Sequence, residues 1–355
     1  MRISLAWPLL QGLGAVGLWL GVQVYGPTVA LAVPNALDSA PFAGDPALEP
    51  LHRQIARLAE RLGGRVGAAI VHVESGRAIA LKGAERFSMA SVYKLPIAIA
   101  ILDMVDRGEL DLTRKLTVKA SDLRPGSPLA ERRDAVGSVL SVRELIELVM
   151  IYSDNSASDL LFDLAGGGEA ITKRLQTLKI AGLRVDRPEL ELLADGGGVR
   201  QLPAASDLTL ERFERLLAAV PPAAREEAER QYRLDPRDTS TPEAIGRLLV
   251  RLQRGDILKP ESNRLLLGIM ERCATGVQRI PGNLPAGTIV AHKTGTNAGG
   301  NNDAGIITLP GKAGHLAVAV FVQTPGQPSA ERERLIAEIA RAGFDFFVGQ
   351  GAAVR

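Results

Sequence analysis

The chain has 355 residues, 46% of them apolar, and a formal net charge of +2 with basic and acidic residues interspersed. That suits a soluble globular fold with a large core, and it excludes the one-signed surface that nucleic acid or an acidic partner would recruit. A single cysteine, Cys273, rules out an internal disulfide, and His52, His72, His292 and His315 have no ligand-like spacing, so no zinc or other metal site is expected.

The N-terminus reads as a targeting segment. Arg2 is followed by an uncharged apolar stretch from Ile3 to about Val33, and Ala30-Leu31-Ala32 is a small-x-small cleavage pattern. A signal peptide over 1–32 is therefore expected, with a periplasmic or secreted mature protein. The stretch is also long enough to span a bilayer, so an uncleaved N-terminal anchor is the alternative. A polar linker fills 33–50.

Leu51, Ile55, Leu58 and Leu62 then recur at helical spacing, ended by Gly63-Gly64. Arg65 to Val73 and Arg77 to Leu81 read as a hairpin about Glu74-Ser75-Gly76. From Ser91 to Leu252 nearly every periodic segment is helical, including Leu145 to Ile151, Ser156 to Leu164, Leu208 to Ala219 and Ala223 to Tyr232. Gly166-Gly167-Gly168 and Gly196-Gly197-Gly198 read as flexible breaks without the pattern of a phosphate loop. Cys273 follows a helical run and is expected as a packed core thiol. Strand-like runs return at Thr288 to His292, Ala304 to Leu309 and Leu316 to Val322. A last amphipathic helix runs from Ser329 to Val348. Early and late strands with flanking helices predict one antiparallel five-stranded sheet built from both chain ends, with a helical domain inserted. The expected division is an α/β domain over 51–90 and 265–355, and a helical domain over 91–264.

The chemistry begins at Ser91-Val92-Tyr93-Lys94. Residues at i and i+3 share a helix face, so Ser91 and Lys94 can meet, and Pro96 places the helix start close to Ser91. Serine is a weak nucleophile until a base takes its proton, and a lysine can serve. Alone, Ser-x-x-Lys is a weak signal. Ser153-Asp154-Asn155 and Lys293-Thr294-Gly295 follow in order, with Asp186-Arg187-Pro188-Glu189-Leu190-Glu191-Leu192 and Asp238-Thr239-Ser240-Thr241-Pro242 between them. Ser153-Asp154-Asn155 lies between two helical runs, where these residue types are also favoured helix caps. Lys293 and Thr294 follow an apolar strand.

Together these motifs resemble the class A β-lactamases, from about Leu51 to about Gly349. The resemblance implies the serine β-lactamase and D,D-peptidase fold and acyl transfer. Ser91 would be the nucleophile, with Lys94 as base or electrostatic partner. Ser153 would pass a proton to the leaving nitrogen, Asn155 would bind the acyl-amide, and Asp154 would brace its loop. Lys293 and Thr294 would anchor the substrate carboxylate, Gly295 would let the backbone approach, and the N–H groups of Ser91 and Thr296 would form the oxyanion hole. Glu189, with Glu191 as fallback, would activate the deacylating water; which of Lys94 and Glu189 acts in acylation stays open. Arg279 matches an alternative arginine position that helps hold the carboxylate, and a solvated loop arginine is the competing reading.

Three departures stand out. Leu193 occupies a position where most members have a water-holding asparagine. The segment 193–237 is much longer than usual and could cover or reshape the entrance. The rim loop Asp122 to Pro128 lacks an aromatic residue. The reading is a secreted, monomeric serine β-lactamase acting on a small-molecule β-lactam, with no cofactor, no metal and no nucleic-acid partner, and a membrane association only if the leader is uncleaved. A penicillin-binding D,D-peptidase and a non-hydrolytic β-lactam sensor are the alternatives.

Overall fold

The computed structural model describes Phe42, residues 45–204 and residues 207–353; the leader lies outside the described residues. Helix α1 (Glu49–Leu62) puts Leu51, Ile55 and Ala59 on one buried stripe. Strands β1 (Arg65–His72) and β2 (Ala78–Leu81) form the expected hairpin. A short β3 (Phe87–Ser88) leads through a 3₁₀ turn, Ala90–Tyr93, into α2 (Lys94–Asp106). Every residue of α2 from Lys94 to Asp103 is buried, as expected of a helix apolar all round. Next come β4 (Lys115–Thr117), β5 (Val139–Ser141), α3 (Val142–Tyr152), α4 (Asn155–Leu164) and α5 (Gly167–Thr177). Then follow α6 (Glu189–Gly197), α7 (Leu210–Ala218), α8 (Pro222–Leu234), β6 (Thr239–Ser240), α9 (Pro242–Arg254) and α10 (Pro260–Met270). The chain closes with β7 (Val290–Asn297), β8 (Gly300–Thr308), β9 (His315–Gln323) and α11 (Ser329–Ala353).

The main sheet is five-stranded in the order β2-β1-β9-β8-β7, antiparallel throughout, so both ends of the chain meet in it. Ile70 pairs with Val318 at its centre, and Lys293 with Ala304 at the β7 edge. One face packs against α1 and α11 through Leu51, Ile55, Val318, Val320, Ile336 and Ile339. The helical reading of 91–252 needs a correction. Two small ladders, β3 with β6 and β4 with β5, stitch the segment together. Strands this short carry no periodicity to read. A second correction concerns the glycines. Gly196 and Gly197 complete the last turn of α6 and Gly198 is its left-handed C-cap, so this is a helix stop and not a flexible break. Gly166 likewise caps the N-terminus of α5.

Candidate active site

Ser91 sits in the 3₁₀ turn that feeds α2, directly after Ala90, which is held at φ 45°. A left-handed alanine stores strain of the kind that clusters at reactive turns. Lys94 opens α2 and is fully buried. Its Nζ donates to Ser153 O and to Asn155 Oδ1, both at 2.6 Å, and lies 2.9 Å from Glu189 Oε1. One ammonium thus ties together the segments that carry the first two motifs and the acidic loop.

Ser153 is the left-handed C-cap of α3 (φ 60°), and Asp154 is the N-cap of α4. Asp154 Oδ1 accepts from Ala157 N at 2.8 Å and Oδ2 from Leu129 N at 2.7 Å. It caps the helix and braces the rim loop at once, as the residue types suggested. Asn155 also donates to Pro125 O at 2.7 Å, which pins the rim loop over the site. Lys293 on β7 is buried, and its Nζ donates to Ser153 Oγ at 2.9 Å and to Thr294 O at 2.8 Å. Burial first, and the neighbouring Lys94 charge second, bring Lys293 down to about 7. Gly295 explains why β7 can lie so close to the nucleophile turn. A Cβ there would stand 2.5 Å from Met89 O and 3.1 Å from Ser91 N. The next residue, Thr296, is exposed at the same edge.

Arg279 is not a solvated loop residue. It is buried, and its Nη1 donates to Gly295 O and Asn302 O, each at 3.0 Å, while Nη2 reaches Thr296 Oγ1 at 2.7 Å. Glu333 of α11 pairs with it at 3.0 Å. It therefore underpins the Gly295-Thr296 edge from behind. Cys273 overturns its expectation: it is only partly buried, and its Sγ lies 3.4 Å from Thr275 Oγ1, which is 2.6 Å from Thr294 Oγ1. Burial opposes ionisation of this thiol, but His292 and Lys293 prevail and bring it down to about 7. The residue stands behind the Lys-Thr-Gly strand because α10 ends there.

Glu189 is the first residue of α6 and is buried, whereas Glu191 is exposed. Two residues that the motif reading missed fix its place. Asp159 of α4 accepts from Glu189 N at 2.5 Å and Leu190 N at 3.2 Å, satisfying the open N–H groups of α6. Arg124 of the rim loop pairs with Asp159 at 2.7 Å. Burial pushes the Asp159 carboxyl up to about 6, against the pull of Arg124 and with the help of Glu189. Asp159 lies one helical turn beyond Asn155, on the same face, and that spacing was the available signal.

The acidic loop is held by Arg187. Its Nε donates to Asp238 Oδ2 at 2.7 Å and its Nη1 to Asp195 Oδ2 at 2.5 Å and Asp235 Oδ2 at 3.1 Å. The inserted segment builds helices α7 and α8 against α6, around an apolar cluster of Ala194, Val199, Leu208 and Phe213. Leu193 packs on that cluster.

A family model for the beta-lactamase enzyme family matches residues 50–347. Beta-lactamase VEB-1 of Pseudomonas aeruginosa is 28% identical over 297 residues, covering 81% of this chain and 86% of that protein. Extended-spectrum beta-lactamase PER-1, also of Pseudomonas aeruginosa, is 29% identical over 79% of this chain and 82% of its own length. The crystal structure of a beta-lactamase from Chitinophaga pinensis superposes with a TM-score of 0.68 at 33% identity, covering 83% of this chain and 98% of that one.

Proposed function

The chain belongs to the beta-lactamase enzyme family, as a class A serine β-lactamase that hydrolyses β-lactams, and from that premise we propose that it works through a covalent acyl-enzyme on Ser91. Ser91 Oγ attacks the lactam carbonyl. The C–N bond of the ring breaks, an ester forms, and the nitrogen leaves with a proton delivered through Ser153. The serine proton goes to Lys94 or Glu189, which share one buried network. The N–H groups of Ser91 and Thr296 hold the oxyanion; in comparable sites one such donor is worth roughly 3 kcal/mol. Lys293 and Thr294 take the substrate carboxylate, and Asn155 binds its acyl-amide. Arg279 acts as a positioning residue beneath Gly295 and Thr296. Glu189 then draws a proton from water, which attacks the ester and frees Ser91.

The observation that carries this reading is the position of Lys94 Nζ, within 2.6 Å of the Ser153 carbonyl and the Asn155 amide oxygen and 2.9 Å from the Glu189 carboxylate. Through Ser153 Oγ, which Lys94 meets at 3.4 Å and Lys293 at 2.9 Å, the same network reaches the strand that carries the third motif. Intact-mass measurement with benzylpenicillin tests the assignment. Wild type turns over, Ser91→Ala forms no adduct, and Glu189→Ala gives a stoichiometric burst and then a long-lived adduct, with deacylation slowed about 10²- to 10⁴-fold. Wild-type steady-state rates in Glu189→Ala, with stalling in Glu191→Ala, would move the base two residues along the loop.

We also propose export by the 1–32 leader with cleavage after Ala32, on the strength of its charge and cleavage pattern. No helix among the described residues is long and apolar enough to cross a membrane. The division into a discontinuous sheet domain and a helical domain is proposed on the same footing, from the strand order that joins β1 to β9.

A further inference from the structure

The inserted hairpin of α7 and α8 is long, builds its own apolar cluster, and has no role in the steps above. It also forms one side of a cavity of about 460 Å³ that opens beside Ser91. Leu193 of α6, Leu217 and Ala218 of α7, and Arg225, Glu229 and Tyr232 of α8 line it, together with the β7 end at Thr296. Ser153, Lys293 and Thr294 do not line it. Ser91 and Glu189 do line it, so the cavity reaches the proposed nucleophile without including the proposed carboxylate anchor.

A β-lactam has the same polarity of parts. Its carboxylate lies on one side of the reacting carbonyl and its acylamino substituent on the other. With the carbonyl at Ser91 and the carboxylate at Lys293, the substituent is left facing the hairpin. Resting on the acyl-enzyme reading above, we propose that the α7–α8 hairpin is the specificity wall of this enzyme, and that its cavity takes an uncharged aromatic acyl substituent. The volume falls in the range of small-molecule sites. The walls are mostly side-chain carbon from Leu193, Leu217 and Tyr232. Arg225 and Glu229 are one helical turn apart on α8 and opposite in charge, and Glu189 at the inner end is paired with Lys94, so no unpaired cation lines the cavity to attract an anionic substituent. The seat of the hairpin is built for close approach. A Cβ on Gly197 would lie 2.3 Å from Leu217 Cδ2, so with Leu217 in this rotamer glycine is what lets α7 sit this close on α6.

The test compares benzylpenicillin, which carries a phenylacetyl substituent, with 6-aminopenicillanic acid, which carries none. Wild type should favour benzylpenicillin at least tenfold in kcat/KM. Leu217→Glu, and Ala218→Glu at an exposed position on the same wall, should remove most of that preference by raising KM for benzylpenicillin about tenfold, with 6-aminopenicillanic acid changed less than twofold. Ala218→Glu keeps the test open should Leu217→Glu misfold, as judged by its thermal melt. Parallel losses on both substrates, or none on either, would overturn the wall while leaving the hydrolytic reading intact. A wild type that neither hydrolyses nor is acylated by either compound would overturn both.

Discussion

Arg187→Met is expected to loosen the acidic loop and the inserted hairpin together, because one buried guanidinium holds both. Arg187 and Asp238 are each 3% exposed at the side chain and meet at 2.7 Å. Burial opposes the charge on Asp238 and raises its pKa, while its hydrogen bonds from Asp186 N and Arg187 and the Arg187 charge work the other way. Removing one partner of a buried pair costs about 3–5 kcal/mol, because the other is left uncompensated. Asp238 keeps its backbone donors Asp186 N at 2.7 Å and Arg187 N at 3.1 Å, which argues for the lower end of that range. Asp195 is 42% exposed and adds little. The loss of the Tyr232 ring contact at 5.6 Å adds a further increment that falls on α8. At about 2 °C per kcal/mol for a chain of this size, the melting temperature should fall by roughly 6 °C. Calorimetry at neutral pH reads that drop, and time-resolved mass spectrometry reads slower deacylation, since Glu189 lies two residues along. A variant that melts within about 2 °C of wild type would refute the pair as the anchor.

Two further outcomes follow from the β7 edge. Lys293 is held at about 7, so its ammonium is present below that pH and lost above it. Binding an anionic substrate favours the charged form, so KM should rise as the pH climbs above about 7, by at most about tenfold per pH unit; Lys293→Arg, whose charge persists, should flatten that rise, and a flat wild-type profile would show that Lys293 does not titrate there. Gly295→Ala should cut kcat/KM at least about tenfold, because its Cβ meets backbone atoms of Met89 and Ser91 that cannot move without shifting the nucleophile; wild-type kinetics in that variant would mean the edge is looser than its contacts imply.

The candidate-site motifs stood out in the sequence because each is a short run of chemically distinctive residues at an element boundary. Pro96 and the polar Ser153-Asp154-Asn155 run marked where helices start, and the late apolar runs marked β7 to β9. Polar residues that serve from inside were not legible. Asn301, Asn302 and Asp303 precede the apolar run from Ala304 to Leu309, and all three lie in β8 and are buried. Asn302 Nδ2 donates to Ser88 O at 2.9 Å and Met89 O at 3.0 Å, which ties the sheet to the nucleophile turn. Asp303 accepts from Ile280 N and meets His292 at 3.0 Å, where burial is outweighed by the carboxylate and the imidazole rises to about 10. Composition alone cannot separate a buried, satisfied asparagine from a loop asparagine, because the difference lies in partners far along the chain. Cys273 failed for the same reason. Its helical run suggested a core, and the turn after α10 instead brought it behind Thr294.

Leu193 and the insertion are best understood as one change and not two. The family position holds an asparagine that helps retain the hydrolytic water. In this chain the residue packs with Leu190, Leu202, Leu216, Leu217 and Val220 on the cluster that seats α7 against α6. Leu193 is half-buried, with hairpin carbon on one side and the cavity on the other, so leucine adds apolar packing there that an amide would not. Once the hairpin covers this face, leucine is the residue the packing wants. Control of Glu189 then has to come from elsewhere, and it comes from the other side of α6. Asp159 accepts the first two N–H groups of the helix and is itself held by Arg124, so the base is set by its backbone and by Lys94. With Leu193 packed on the hairpin side, Glu189 is held by its helix start and by Lys94, and the hairpin side of α6 is left to line the cavity.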